Sequence, residues 1–360
     1  MKIAYVTDVI YPFVKGGAEK RVYEVSKRLV KQNEVHIFGI KWWKGRDDIV
    51  IEGINIHGIC KPRELYSEGR RSSSEALQFA LSLMPLLKYD FDIIDCNQFP
   101  YLHCFPARLI AQAKGASLVI TWHEFWGDYW YEYLGKIGMI GKVIEKSTMK
   151  LADTIIAVSK NTKEGLSHFV KNVTVIPNGV DLRFISAIKP SNKLFDVLFV
   201  GRLIPEKNVD LLLKSMPRNK SLGIIGEGPE KEALMRLSEE LEISVTFESG
   251  LPYDELIGLM KSADALILPS SREGFGIVAL ESLASGTPVV TANSKSNAAK
   301  DLITDGINGF IVELTPEAIK SAILKINKAN MSAAAQASAC DYDWDNISNE
   351  TFNVYKSVTR

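Results

Sequence analysis

The apolar positions of this chain follow two rhythms. Short runs without alternation predict strands buried on both faces, at Ile3–Val6, Glu34–Ile40, Ile49–His57, Asp92–Cys96, Ser117–Trp122, Thr154–Val158 and Val173–Ile176. Between them apolar residues return at helical spacing. One stretch runs Ala18–Lys31, with Val22, Val25, Leu29 and Val30 on one face, and others follow at Ser74–Lys88, Leu102–Ala113, Tyr133–Leu151 and Lys160–Phe169. The polar segment Lys189–Asn192 separates this series from a second one. Its strands are predicted at Asp196–Val200, Leu222–Ile225, Ser244–Phe247, Ala265–Leu268 and Pro288–Thr291, and its helices at Asn208–Met216, Glu230–Leu241, Asp254–Lys261 and Ile277–Ala284. Strand and helix alternating over such a length predict a parallel sheet covered on both faces. The expectation is therefore an α/β chain of two Rossmann-like, doubly wound domains, 1–185 and 190–340, with ligands beyond the carboxyl ends of the strands and a cleft between the domains.

Composition narrows the classes. The chain has 360 residues, more than one hydrophobic core usually covers. Its 43 basic and 43 acidic residues cancel, so no overall field favours nucleic acid. No run of apolar residues is long enough to span a bilayer, and Asp8 interrupts the first apolar run too early for a signal peptide. Cys60, Cys96, Cys104 and Cys340 form no C-x-x-C pair, which predicts reduced thiols and a cytoplasmic setting. No Cys/His cluster is apparent, and none of the zinc motifs occurs.

The chemistry concentrates at strand ends. In Glu273–Glu281 (E-G-F-G-I-V-A-L-E), Gly274 and Gly276 fall in a turn between a buried strand and a helix beginning at Ile277. Free amides at such a helix start favour an anion. Glu273 and Glu281 beside it cannot welcome a phosphate, but they accept hydrogen bonds from hydroxyls. A ligand with both groups is a nucleoside diphosphate sugar. Arg202 and Lys207, on the loop after the strand ending at Val200, suit its diphosphate. Gly226-Glu227-Gly228-Pro229 has the look of a phosphate loop, although proline also simply starts helices. Ser249–Pro252, including Leu251, is a mouth where backbone could receive a nucleobase edge.

In the first half, Gly16-Gly17 follows the first strand and fits either a phosphate loop or a bare turn. His123 directly follows a strand and is the candidate among the five histidines; a loop histidine capping backbone is the other reading. His36, His57, His103 and His168 read as structural. The basic and aromatic stretch 41–74 (Trp42, Trp43, Lys44, Arg46, Lys61, Arg63, Arg70, Arg71, with Glu64 and Glu68 interleaved) joins Trp126, Tyr129, Trp130 and Tyr131 as a candidate acceptor groove or lipid contact, or as solvated loops with aromatic plugs. Asp90-x-Asp92 and Asp341-x-Asp343 match a metal-holding pattern only by coincidence, since one enters a buried strand and the other caps a helix.

Taken together, F-V-G-R-L-I-P-E-K-N, I-I-G-E-G-P, E-G-F-G-I-V-A-L-E and S-G-T-P-V-V resemble the retaining GT-B glycosyltransferases of glycosyltransferase group 1 (family 4). The resemblance extends to Thr121–His123, Pro177–Asp181 and Asp305–Phe310, and so covers nearly the whole chain. It implies transfer of a sugar from a UDP- or GDP-sugar to an acceptor hydroxyl with retention, without metal or cofactor. Arg202, Lys207, the amides of Phe275, Gly276 and Ile277 and the Gly16-Gly17 loop would hold the diphosphate. Glu281 would take the ribose, Glu273 the donor sugar, and His123 would lie at its reactive face. The end of the chain, 342–360, would cross back to the first domain. Trp42, Trp43 and their basic neighbours, rather than the resemblance, suggest a glycan or lipid-linked acceptor and peripheral contact with the cytosolic face of a membrane as partners. A silent nucleotide-sugar-binding module and a GT-B epimerase are the alternatives. One departure stands out: where the family often carries Gly-Gly-x-x-Glu, this chain has Ser296–Asp301, with Asp301 in the place of the glutamate.

Overall fold

The computed structural model describes residues 1–63, 66–67 and 70–359. Glu64, Glu68 and the side chain of Arg70 lie outside that description. The chain forms two compact units, Met1–Asn178 with Trp344–Arg360, and Gly179–Asp343. No helix among the described residues is long and apolar enough to cross a membrane.

The first unit contains β1 (Lys2–Val6), β2 (Glu34–Ile40), β3 (Asp48–Ile51), β4 (Ile54–Cys60), the short pair β5 (Tyr66–Ser67) and β6 (Arg70–Arg71), β7 (Ile93–Asn97), β8 (Ser117–Trp122), β9 (Thr154–Ala157) and β10 (Val173–Val175). Its helices are α1 (Gly17–Leu29), α2 (Ser73–Leu81), α3 (Cys104–Lys114), α4 (Tyr129–Leu134), α5 (Gly138–Met149) and α6 (Lys160–Ser167). The main sheet runs β10-β9-β8-β7-β1-β2-β4-β3 and is parallel except for β3. Residues 93–97 and 117–122 are buried at every position, as continuous apolar runs require in a sheet covered on both faces.

Two expectations need correction here. Ile49–His57 is not one strand but a hairpin, turning at Glu52 (φ 49°) and Gly53 (φ 84°). Two consecutive left-handed residues give the tight turn that matches strand twist. Tyr133–Leu151 is not one helix, because α4 and α5 are separated by a 3-10 turn at Gly135–Ile137. His36 and His57 are structural, as expected: their rings stack within the sheet, Nδ1 to Nε2, at 2.8 Å.

The second unit contains α7 (Leu182–Ala187), β11 (Val197–Val200), α8 (Val209–Ser215), β12 (Leu222–Ile225), α9 (Lys231–Glu240), β13 (Val245–Glu248), α10 (Tyr253–Ser262), β14 (Ala265–Leu268), α11 (Ile277–Ala284), β15 (Val289–Ala292), β16 (Gly309–Val312), α12 (Pro316–Lys325) and α13 (Lys328–Ala339). Its sheet is wholly parallel, in the order β13-β12-β11-β14-β15-β16. The boundary expected at 185 moves to 178/179. Lys261 Nζ donates to the carbonyl of Ile188 at 2.7 Å, and Phe184 stacks on Tyr253 with centroids 5.5 Å apart, so α7 belongs to this unit.

The chain ends in α14 (Trp344–Val358), which belongs to the first unit and packs along α1. Tyr355 anchors it. Its hydroxyl donates to Asp95 Oδ2 at 2.5 Å, and Asp95 also accepts from Thr121 Oγ1 at 2.9 Å. The Tyr5 hydroxyl lies 3.0 Å from that of Tyr355, beside the same carboxyl. Burial pushes the Asp95 carboxyl up to about 6 despite these donors. Tyr355→Phe strips a donor from a fully buried carboxyl and is expected to cost about 1–3 kcal/mol. All six tryptophans lie in the first unit, so their fluorescence during urea unfolding isolates the effect. An unchanged midpoint would refute the anchoring role.

Candidate active site

In the second unit the sites form where strands end. After β11 the chain passes Gly201 and the exposed Arg202, makes a 3-10 turn at Pro205–Lys207, and reverses at Asn208 (φ 49°) into α8. Asn208 Nδ2 donates to the carbonyl of Pro269 at 2.9 Å, and the backbone N–H of Ser271 donates to Glu206 O at 2.9 Å. These bonds tie the exit of β11 to the exit of its neighbour β14. The tie delivers Lys207 to Glu273, and the two side chains form an ion pair, both largely shielded from solvent. Each was expected to meet a ligand; in this structure they meet each other.

Beyond Glu273 the turn reaches Gly276, at φ 87° the residue before α11. A side chain there would be strained by the backbone angle, and a Cβ would sit 2.4 Å from that of Ala299. Leu280 N–H is the first to close onto Gly276 O, at 3.2 Å. The amides of Ile277, Val278 and Ala279 therefore have no intrahelical acceptor, and no acidic residue occupies the first turn to answer their charge. Ser296–Ala299, the segment that departs from the family pattern, braces this turn. Glu273 N–H donates to Ser296 O at 3.0 Å, and Ala298 N–H donates to Glu273 O at 2.9 Å. Buried Asn297 holds the brace, donating to Thr291 Oγ1 and Ala292 O at 2.9 Å and accepting from Ala299 N–H at 3.0 Å. Asp301 lies exposed in the 3-10 turn that follows.

Glu281 is buried on α11 and accepts from the Tyr253 hydroxyl at 3.0 Å. Tyr253 opens α10 two residues after Leu251, so the Leu251 loop and Glu281 are joined through it. Gly226 and Gly228, read as either a phosphate loop or a plain helix start, have a packing role. A Cβ would fall 1.9 Å from Gly201 O or 2.2 Å from Leu203 O, so both glycines let two backbones touch.

In the first unit, His123 sits just past β8 with a fixed proton. Thr7 Oγ1 donates to Val9 O at 3.0 Å, so it accepts from Asn97 Nδ2, also at 3.0 Å. That turns Asn97 Oδ1 toward His123 Nε2 at 3.0 Å, which must therefore donate. Nδ1 is left as a lone pair. The His123 backbone N–H is held by Gln98 Oε1 at 2.9 Å. Burial, with the nearby Arg21 guanidinium adding to it, pushes the imidazole down to about 3. Gly16 precedes α1 in extended backbone, and the Glu19 carboxylate folds back beneath it, its carboxyl pushed up to about 7 by burial.

Both halves match known families. Residues 182–339 match the model of the group 1 glycosyl transferases, and residues 15–184 match that of glycosyltransferase family 4. An uncharacterised glycosyltransferase of Methanocaldococcus jannaschii is 30% identical over 88% of this chain and 86% of its own. The chain belongs to the group 1 glycosyltransferases. Sucrose-phosphate synthase from Thermosynechococcus elongatus superposes with a TM-score of 0.84, at 18% identity over 99% of this chain and 98% of that one. HepE of Anabaena, solved with UDP and glucose, gives 0.77 at 19% identity, over 99% of this chain and 100% of that one. The fold is GT-B, and the protein is a glycosyltransferase.

Within this glycosyltransferase, sequence reasoning missed Tyr253, Asn97, Gln98 and Asn297. The only signal for them was polar or aromatic residues just beyond a strand's carboxyl end. It also missed Cys96, His103 and Cys104, whose ligand atoms lie within 4.8 Å of one another in the core, so a Cys/His cluster does exist. A strand-to-helix loop brings them together without any recognisable spacing. His103 Nε2 lies 2.8 Å from Asn97 O and so spends its proton there, bracing the loop that carries the Asn97–His123 contact. Three of the four D-x-D aspartates are engaged within the fold. Asp92 Oδ2 accepts from Lys2 N–H at 2.7 Å, Asp90 pairs with Lys114, and Asp343 accepts from Leu182 N–H at 3.3 Å.

The His123 environment makes a pH prediction. Its folded value lies below the ordinary 6.5, so between pH 6.5 and about 3 the unfolded chain takes a proton that the native state refuses. That part of the stability is complete above pH 6.5 and drains as pH falls. Thermal melts of the wild type and His123→Gln across this window should differ in slope, with the variant flatter. Parallel profiles would contradict a neutral native His123.

Proposed function

We propose that this glycosyltransferase takes a nucleoside diphosphate sugar as donor and passes the sugar to an acceptor hydroxyl with retention, without metal assistance. In the reaction the bond from the anomeric carbon to the diphosphate oxygen breaks and the acceptor oxygen bonds that carbon. The hydroxyl proton leaves with the diphosphate. The difficulty is the negative charge growing on the leaving group. The observation that carries the reading is the convergence of Lys207 with the Glu273–Gly276 turn, whose helix start presents unanswered amides. Arg202 and Lys207 with those amides neutralise the charge, a pre-placed arrangement of the kind whose loss typically costs ~10²–10³ in rate per donor.

In this reading Lys207 exchanges the Glu273 carboxylate for phosphate. That releases Glu273 to accept from donor-sugar hydroxyls. Glu281, oriented by Tyr253, receives the ribose hydroxyls, and the backbone at Leu251 meets the base. The Gly16-Gly17 loop contributes amides to the phosphates, and the His123 Nδ1 lone pair accepts from a sugar hydroxyl. Four unpaired cysteines support a reducing, cytosolic setting.

UDP-, GDP- and ADP-sugars should be compared by thermal shift, because bound donor raises the melting temperature by mass action. One nucleotide series should stabilise the protein, and incubation with acceptor extracts should release that nucleotide. Arg202→Ala should weaken every diphosphate donor alike, whereas Lys207→Ala should lower turnover by about 10²–10³-fold. A loss confined to one sugar, or no stabilisation by any donor, would sink the assignment.

A further inference from the structure

Among the aromatic residues first read as a lipid contact, the tryptophans are engaged within the first unit. Trp42 Nε1 donates to Asp8 O at 2.9 Å, Trp43 Nε1 donates to Arg46 O at 2.8 Å, and Trp126 and Trp130 pack against the core. Buried Glu145 secures that plug, accepting from the backbone of Trp126 and Gly127 at 2.9 Å and from Trp130 Nε1 at 3.2 Å. What the same stretch exposes is the next helix.

Gly141, Glu145, Thr148 and Met149 turn one face of α5 inward. The opposite face is apolar and open. Ile137, on the turn just before the helix, and Met139, Ile140 and Val143 on it are 64%, 60%, 60% and 57% exposed. Such side chains gain from leaving water, so four together on one surface call for a covering. The flank is basic. Lys136 and Lys150 are exposed, Lys142 lies over the Tyr131 ring at 5.4 Å, and Lys146 lies over the Phe169 ring at 4.7 Å. Among the described residues of this stretch, Asp128 pairs with Lys142 and Glu132 is exposed, while Glu145 faces the core. Apolar side chains centred on a helix face, with lysines along one flank and aromatic rings at the edge, suit the boundary between acyl chains and anionic headgroups. A second exposed apolar strip, at Leu77, Leu81 and Met84 on and after α2, lacks this partner chemistry, since α2 has Glu75 in its first turn and no base in its last.

Position adds a reason. α5 leads from the carboxyl end of β8 back to the start of β9, so its first turns lie at the carboxyl end of the sheet, the end that carries His123. We infer that the outer face of α5, Ile137 to Val143 with its flanking lysines, seats the first unit on an anionic lipid surface, with the His123 end of its sheet toward the bilayer. The inference stands apart from the donor assignment.

Co-sedimentation of the full chain with vesicles tests it. The protein should pellet with phosphatidylcholine vesicles containing phosphatidylglycerol, far less with phosphatidylcholine alone, and less as salt screens the lysines. Met139→Glu with Ile140→Glu should weaken binding on the order of tenfold or more. Lys136→Glu with Lys150→Glu should weaken it at low salt, and Leu109→Glu, exposed on α3, should leave it unchanged. Tryptophan fluorescence melts would show that each variant is folded. Three results would overturn the inference: no binding to either vesicle, equal loss from Leu109→Glu, or a dimer in solution that the Met139/Ile140 variant dissociates while vesicles bind neither form.

Discussion

Gly276 has no room to be anything else. Its backbone is left-handed, and the methyl of Ala299 stands where a Cβ would go. That contact exists because Ser296–Ala299 hydrogen-bonds along Glu273 like a short extra strand. The turn after β14 is thus clamped from β15 on one side and, through Asn208 and Ser271, from β11 on the other. Lys207, Glu273 and the open start of α11 owe their mutual placement to that double clamp. Because the clamp is built of backbone bonds and two asparagine side chains, Asn297 and Asn208, it does not depend on the charged side chains above it. In the proposed reaction, such rigidity beneath an exchangeable ion pair would let the product anion leave without disturbing the turn.

The two units hold their key groups by different physics. In the second, the pieces are formal charges near the surface, where Lys207 and Glu273 answer each other. In the first, a chain of neutral donors and acceptors running Val9, Thr7, Asn97 and His123 fixes one imidazole proton without any charge. A cationic imidazole there would sit in poorly solvated surroundings beside Arg21, so the neutral form is enforced by its environment.

Much of this was legible in the sequence, for identifiable reasons. Buried parallel strands announce themselves as unbroken apolar runs, and Glu34–Ile40, Ser117–Trp122, Leu222–Ile225 and Ala265–Leu268 emerged with the predicted bounds. The glycine-led start of α11 was equally plain. The hairpin between β3 and β4 was hidden because glutamate is an unusual residue for the first left-handed turn position. The break before α5 was hidden because apolar spacing continues across it. β16, α12 and α13 were not marked at all; α13, rich in alanine, presents no contrasting faces. Tyr253 and Asn97 escaped because their roles depend on which strand ends become neighbours, and a single chain's periodicity does not encode strand order.

The return of α14 to the first unit has a consequence for how the molecule is made. On the ribosome, residues 1–178 emerge before the second unit, but the helix that covers α1 and supplies the Tyr355 hydroxyl to Asp95 is synthesised only after it. The second unit is one continuous stretch and can complete itself as it leaves the exit tunnel. The earlier-born unit must wait, with a buried carboxyl short of a donor, until residues 344–358 have followed the second unit out. Nascent chains truncated before Trp344 would therefore carry a finished second half behind an unfinished first.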